Sequence, residues 1–111
     1  MPRDEREKAD LIRIRHMIDA AKEALSFIKG KAKSELESNR QLLLSLLKEI
    51  EIIGEAANKI SPEFQERFSH ISWYEIIATR NRLIHGYFDI DAEIVWSTVK
   101  EDLPKLIEML E

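Results

Sequence analysis

Between residues 34 and 60 the apolar positions Leu36, Leu43, Leu47, Ile50, Ile53, Ala57 and Ile60 recur on steps of three, four and seven. At 3.6 residues per turn those steps keep to one face of a helix, whereas a strand would need strict alternation. Leu42, Leu44, Leu46 and Ile52 widen the stripe well beyond one seam. A helix apolar over so much of its surface is either central in a bundle or faces another chain as well. Nothing else in the sequence constrains the fold as tightly.

The rest of the chain repeats the pattern. Leu11, Ile14, Ile18, Ala21, Leu25 and Ile28 form a second stripe, from a start near Asp4 to Gly30, which supplies the left-handed residue that helices often end on. Ser34 with Glu37 reads as a capping box opening the second helix, and Ser61-Pro62 closes it. Pro62 then opens a short extra turn ending around Phe68. Ser72 with Glu75 reads as a second capping box, for a helix through Trp73, Ile76, Ile77, Leu83 and Ile84, with Gly86 at its C-terminal cap. Asp91 caps a fourth helix carrying Ile94, Val95, Val99, Leu103, Leu106 and Leu110, which Pro104 should kink or break. Only 3 glycines and 3 prolines occur in 111 residues, too few for the turns of a sandwich or barrel. The fold predicted is all-α, an antiparallel four-helix bundle forming one domain over residues 1–111.

Composition narrows the function classes. There are no cysteines, which excludes disulfides and cysteine-based zinc sites and agrees with a reducing cytoplasm. The charged N-terminus has no apolar h-region, so no signal peptide is expected, and no apolar run approaches the ~20 residues of a membrane span. The net charge of −4 argues against a protein that coats nucleic acid non-specifically, though not against a small local basic site. The three histidines lack metal-ligand spacing, and no glycine-rich phosphate loop is present, so neither metal nor cofactor is expected. His16 reads as solvent-facing beside Arg13 and Arg15, and His70 as a cap or a turn residue. Trp73 and Trp96 read as core or interface anchors.

One stretch does not look like packing. RNRLIHGYF, residues 80–88, places Arg80, Asn81, Arg82, His85 and Tyr87 within nine positions. A structural reading is available: a histidine in the last turn of a helix is favoured by the macrodipole, Tyr87 can be a core aromatic, and the arginines can be solvated. A chemical reading is also available. Asn81 and His85 are four apart, on one helix face, so Asn81 can fix the imidazole and leave its other nitrogen free. Arg80 lies roughly 140° around a straight helix from His85, so the two meet only in a groove that wraps the helix end. A second helix or a second subunit must build the other wall. RNA cleavage suits such a pair. The 2′-hydroxyl is the nucleophile, histidine moves protons near neutrality, and arginine grips the phosphoryl oxygens. DNA lacks that nucleophile and is not expected as a substrate. A single histidine is one proton-transfer group short, and two copies across a twofold axis would supply two.

With that motif in place the sequence resembles the HEPN superfamily, and within it the HepT-like (DUF86) toxins. The resemblance rests on Arg80, the polar Asn81, and His85 after three more residues, with Tyr87 two beyond it. It extends through IGEAANKI at 53–60, SWYEIIATRNRLIHGYFDID at 72–91 and VWSTVKEDLPKL at 95–106. The resemblance implies a helical bundle that homodimerises, with the Arg–His motifs in a composite cleft. It implies a metal-independent endoribonuclease acting as the toxin of a type VII-like toxin–antitoxin pair. Arg80 and His85 would be catalytic and Asn81 supporting. A partner minimal nucleotidyltransferase would neutralise the toxin by transferring AMP to Tyr87. That adduct would put a bulky anion two residues from His85. The alternative is a non-catalytic, nucleotide-binding partner subunit of a nucleotidyltransferase. A third possibility is a purely structural helical dimer.

Overall fold

The structure, a computed structural model, describes residues 3–84 and 89–111. His85, Gly86, Tyr87 and Phe88 lie outside the described residues. The helices are α1 (Arg3–Ile28), α2 (Ser34–Ser38), α3 (Arg40–Lys59), α4 (Pro62–Arg67), α5 (Trp73–Ile84), α6 (Ala92–Ser97) and α7 (Leu103–Leu110), with a π-turn over Thr98–Asp102 joining the last two. No strand occurs among the described residues. The long members α1, α3, α5 and α6–π–α7 make an all-α four-helix bundle, as the periodicity predicts.

The wide stripe of α3 has a simple cause. α3 is the central helix, packed against α1 on one side and α5 on another, with contacts to α2 and α6 as well. Leu42, Leu43, Leu46, Leu47, Ile50, Ile53, Ala56 and Ala57 are all buried within the chain, and only Leu44 among its leucines is exposed. α1 and α3 run antiparallel. Asp10, early in α1, accepts from the backbone N–H of Ser61 (3.0 Å) and from its hydroxyl (2.6 Å), just beyond the end of α3.

The helix ends follow their capping chemistry except at the two predicted boxes. At Ser72 only the backbone carbonyl accepts, from Ile76 N–H, with no side-chain cap among the described residues. Gly30 has φ +74°, a left-handed conformation only glycine adopts freely, and ends α1 as expected. The Ser34–Glu37 capping box does not form. Lys33, before it, is helical and offers no side-chain cap. The long helix instead starts after Asn39, whose extended backbone lets its Oδ1 accept from Leu42 N–H at 3.0 Å. Asparagine caps at least as well as serine, and the extended geometry it needs splits the predicted second helix into α2 and α3. At the far end Ile60 is extended before Pro62, and Ser61 caps α4. Asp91 caps α6 as predicted, its Oδ1 accepting from Glu93 and Ile94 N–H.

Pro104 does not break the last helix. The chain widens into the π-turn upstream, where Leu103 N–H reaches back five residues to Thr98 O. A π-turn gives the proline ring room and re-pairs the carbonyls that a proline would orphan.

The face of α1 also shifts from expectation. Asp10, Ile14, Met17, Ala21, Ala24 and Ile28 are buried, whereas Leu11 is 53% exposed and Ile12 57%. Polar Asp10 takes the core position because Ser61 satisfies its carboxylate. Glu49 on α3 is the other buried charged residue among the described ones.

Candidate active site

Arg80 is brought to the surface of α3 by a close helix crossing. A Cβ added to Gly54 would overlap Cβ and Cγ of Arg80. α5 therefore lies against α3 at this point because residue 54 has no side chain. The aliphatic stem of Arg80 covers the gap, and its side chain is 25% exposed. The guanidinium is then fixed from two sides. One terminal nitrogen donates to Glu55 Oε1 at 3.0 Å, and the other to Asn81 Oδ1 at 2.8 Å. Its Nε is buried and finds no hydrogen-bond partner among the described residues.

The groove that Arg80 would share with His85 falls outside the described residues. Arg80 itself is held against α3 of the same chain, through Gly54 and Glu55. Neither residue stands out from charge or spacing alone. The signal was a glycine in the interior of a strongly apolar helix, which costs about 1 kcal/mol against alanine and marks a close backbone approach. Asn81 is exposed, and its carbonyl oxygen is engaged by Arg80. Its amide NH2 is the end left to act, as a donor to a neutral imidazole nitrogen or to a phosphate oxygen. His85 and Tyr87 lie outside the described residues. Arg82 is exposed and, with Leu83, borders a small pocket shared with Asp89, Ile90, Asp91 and Ile94.

The chain matches the family described as Ribonuclease HepT-like over residues 17–111. It belongs to that family. The match takes in every helix from mid-α1 onward and the whole of the Arg80 site. Among HepT-like relatives, the chain is 36% identical over 95 residues to a Methanocaldococcus jannaschii protein named "Putative RNase MJ1380", covering 86% of this chain and 87% of that one. It is 38% identical over 68 residues to "Probable ribonuclease HepT" of Thermococcus cleftensis, covering 61% and 62%. It is 30% identical over 93 residues to "Putative RNase TTE0752" of Caldanaerobacter subterraneus, covering 84% and 83%. No solved structure matches the chain.

The other sequence candidates fall to structural roles. Trp73 is a core anchor whose indole N–H is shared between the carbonyls of Gln65 and Phe68. His70 is exposed in the turn before α5, its ring near Phe68. His16 is exposed on α1, as expected. No group of three or more potential metal ligands occurs among the described residues. No described helix is long and apolar enough to cross a membrane. A mostly apolar cavity of about 210 Å³ between α3, α5 and α7 is rimmed by Glu75, Asp102 and Lys105, and neither Arg80 nor Asn81 lines it.

Proposed function

We propose that the chain is a metal-independent endoribonuclease, the toxin of a toxin–antitoxin pair, acting in the cytoplasm as one domain. The observation that carries this reading is Arg80: a guanidinium clamped at a glycine-made helix crossing, five residues ahead of His85 in sequence, in a chain of the HepT-like ribonuclease family. A guanidinium held in place offers parallel N–H donors to a phosphoryl group without reorganising as charge develops.

In this reading the substrate supplies the nucleophile. His85 accepts the proton of the 2′-hydroxyl as its oxygen bonds to phosphorus. The bond to the 5′-oxygen breaks, and that oxygen is protonated as it leaves. The products are a 2′,3′-cyclic phosphate and a free 5′-hydroxyl. Arg80 neutralises the phosphoryl oxygens, exchanging Glu55 for phosphate, and the Asn81 amide donates to phosphate or to His85. A second copy across a twofold axis supplies the second proton-transfer group. AMP placed on Tyr87 by a nucleotidyltransferase would compete for Arg80 and close the site.

The experiment is cleavage of single-stranded RNA by protein of verified unmodified mass, with chelator present. Wild type is expected to cleave, and Arg80→Ala and His85→Ala to lose at least about a thousandfold with unchanged helicity, the scale on which such groups act together. Undiminished cleavage in either variant would remove that residue from the mechanism. Nucleotide binding without cleavage, across several RNA classes, would favour the partner-subunit reading instead. Light scattering at micromolar concentration checks the dimer, and a monomer there would reject the composite cleft.

A further inference from the structure

A second feature adjoins the Arg80 clamp and is not used by it. An open groove of about 410 Å³ runs between α1 and α3; Glu55, the acceptor of Arg80, lines it and Arg80 does not. Its floor is aliphatic: Ile12, 57% exposed, with Ile52, Ala9 and Ala56. Its walls carry Arg13 and His16 from α1 and Lys59 from α3. Arg13 and His16 are three apart, so they project from one face of α1. Lys59 is one turn beyond Glu55 on α3, about 6 Å along the axis.

The charge here runs against the molecule as a whole, which carries −4. The groove's one acid, Glu55, is already paired with Arg80. Arg13, His16 and Lys59 form no ion pair among the described residues. Elsewhere on the molecule Arg15 pairs with Asp19, Lys48 with Glu51, and Arg67 with Glu7. Unpaired cations above an aliphatic floor fit a flexible polyanion with apolar faces. A single RNA strand has that chemistry, with phosphates for the cations and unstacked bases for Ile12 and Ile52.

We propose that the α1–α3 groove is a track for the single-stranded RNA flanking the scissile phosphate, with Arg13 and Lys59 as phosphate contacts and Glu55 as the junction to the Arg80 site. The proposal rests on the ribonuclease reading for its substrate. It also gives an acidic chain a local set of cations for RNA beside the Arg80 site.

The test is binding of a fluorescein-labelled single-stranded RNA of ~12 nucleotides, by anisotropy, in a His85→Ala background that keeps the RNA intact. Arg13→Gln with Lys59→Gln is compared with Arg15→Gln with Lys48→Gln, which changes net charge equally outside the groove. The groove pair is expected to weaken binding about tenfold. It should also lower the slope of log K against log salt by about 1.4, two phosphates at ~0.7 each. The outside pair should stay within twofold. Equal effects of the two pairs, or no RNA binding by the parent, would overturn the track. So would a groove pair that splits a dimer in sedimentation while leaving RNA affinity unchanged, which would make this face a contact between copies. Cleavage by protein with His85 intact is run alongside. Groove-dependent binding without cleavage would sink the ribonuclease reading alone, and cleavage indifferent to the groove pair would sink the track alone.

Discussion

Two charged contacts on α3 solve the same problem in opposite ways. At Glu55 a carboxylate faces a cation: Arg80 is fastened by it, and both stay partly open to water, 47% and 25% exposed. Less than two turns earlier, Glu49 is 4% exposed, and one of its oxygens has no partner among the described residues. The group facing it is another acid, Glu23 on α1. Burial, then the hydrogen bond shared with Glu23, then that residue's charge, push the Glu49 carboxyl up to about 7. The first contact keeps a paired charge at the surface. The second contact is tolerated by keeping a proton. The difference is one of partner sign and water access, not of helix geometry, since both sit on the same rigid element.

The largest effect should come from the crossing that makes the first contact possible. Alanine in place of glycine inside a helix ordinarily stabilises by about 1 kcal/mol. At residue 54 its Cβ would meet the stem of Arg80, close to the backbone rather than at a flexible tip. Gly54→Ala should therefore reverse the sign and destabilise by about 1–3 kcal/mol, as overpacked positions do. It should also shift Arg80 and reduce RNA cleavage on the order of a hundredfold, the cost of misplacing a catalytic group by about 1 Å. Chemical denaturation and single-turnover cleavage read the two effects separately. A more stable protein with full activity would mean that α5 is not held by this contact.

Glu49 gives the next effect. The folded state holds a proton that the unfolded chain, with its carboxyl near 4.5, has released by pH 7. Stability is thus complete below pH 4.5, falls as pH rises toward about 7, and is flat above it as far as this group is concerned. The loss is about 1–3 kcal/mol. Glu49→Gln, neutral at every pH, should match wild type near pH 4.5 and exceed it at pH 8. Urea titrations at the two pH values check it. A wild type whose stability rises across that window relative to the variant would show that Glu49 is ionised and satisfied in the folded state.

This pair of contacts also marks what could be read from the sequence. The all-α bundle and its boundaries at Gly30, Pro62 and Asp91 follow from local rules: apolar period, proline sterics and capping. The wide stripe of α3 left open whether that helix is central or faces another chain. The split at Asn39 was missed because two capping signals lay five residues apart, and asparagine's extended backbone won. Pro104 was expected to interrupt its helix, and a π-turn absorbed it. Arg80 and Asn81 were legible as a motif, but their mutual hydrogen bond and the clamp by Glu55 were not. Those depend on which face α3 turns toward α5, a long-range choice that spacing within one helix does not encode. Glu49 reads as one more polar position on an amphipathic helix until Glu23 is brought opposite it.

The smallest effect separates two roles for Glu55. Its ion pair with Arg80 is partly solvated, and such pairs contribute about 0–1 kcal/mol to stability. Glu55→Gln should accordingly change the denaturation midpoint little. Its effect on RNA should be visible. The carboxylate competes with phosphate for the same guanidinium and adds a negative charge at the head of the α1–α3 groove. The amide keeps a carbonyl that can accept from Arg80 but surrenders the charge. RNA affinity should rise about two- to fivefold, most clearly at low salt where the lost repulsion is least screened. A severalfold fall would assign Glu55 the opposite role, that of holding Arg80 in its working position. The guanidinium would then be a group that Glu55 positions, rather than one it covers until RNA arrives.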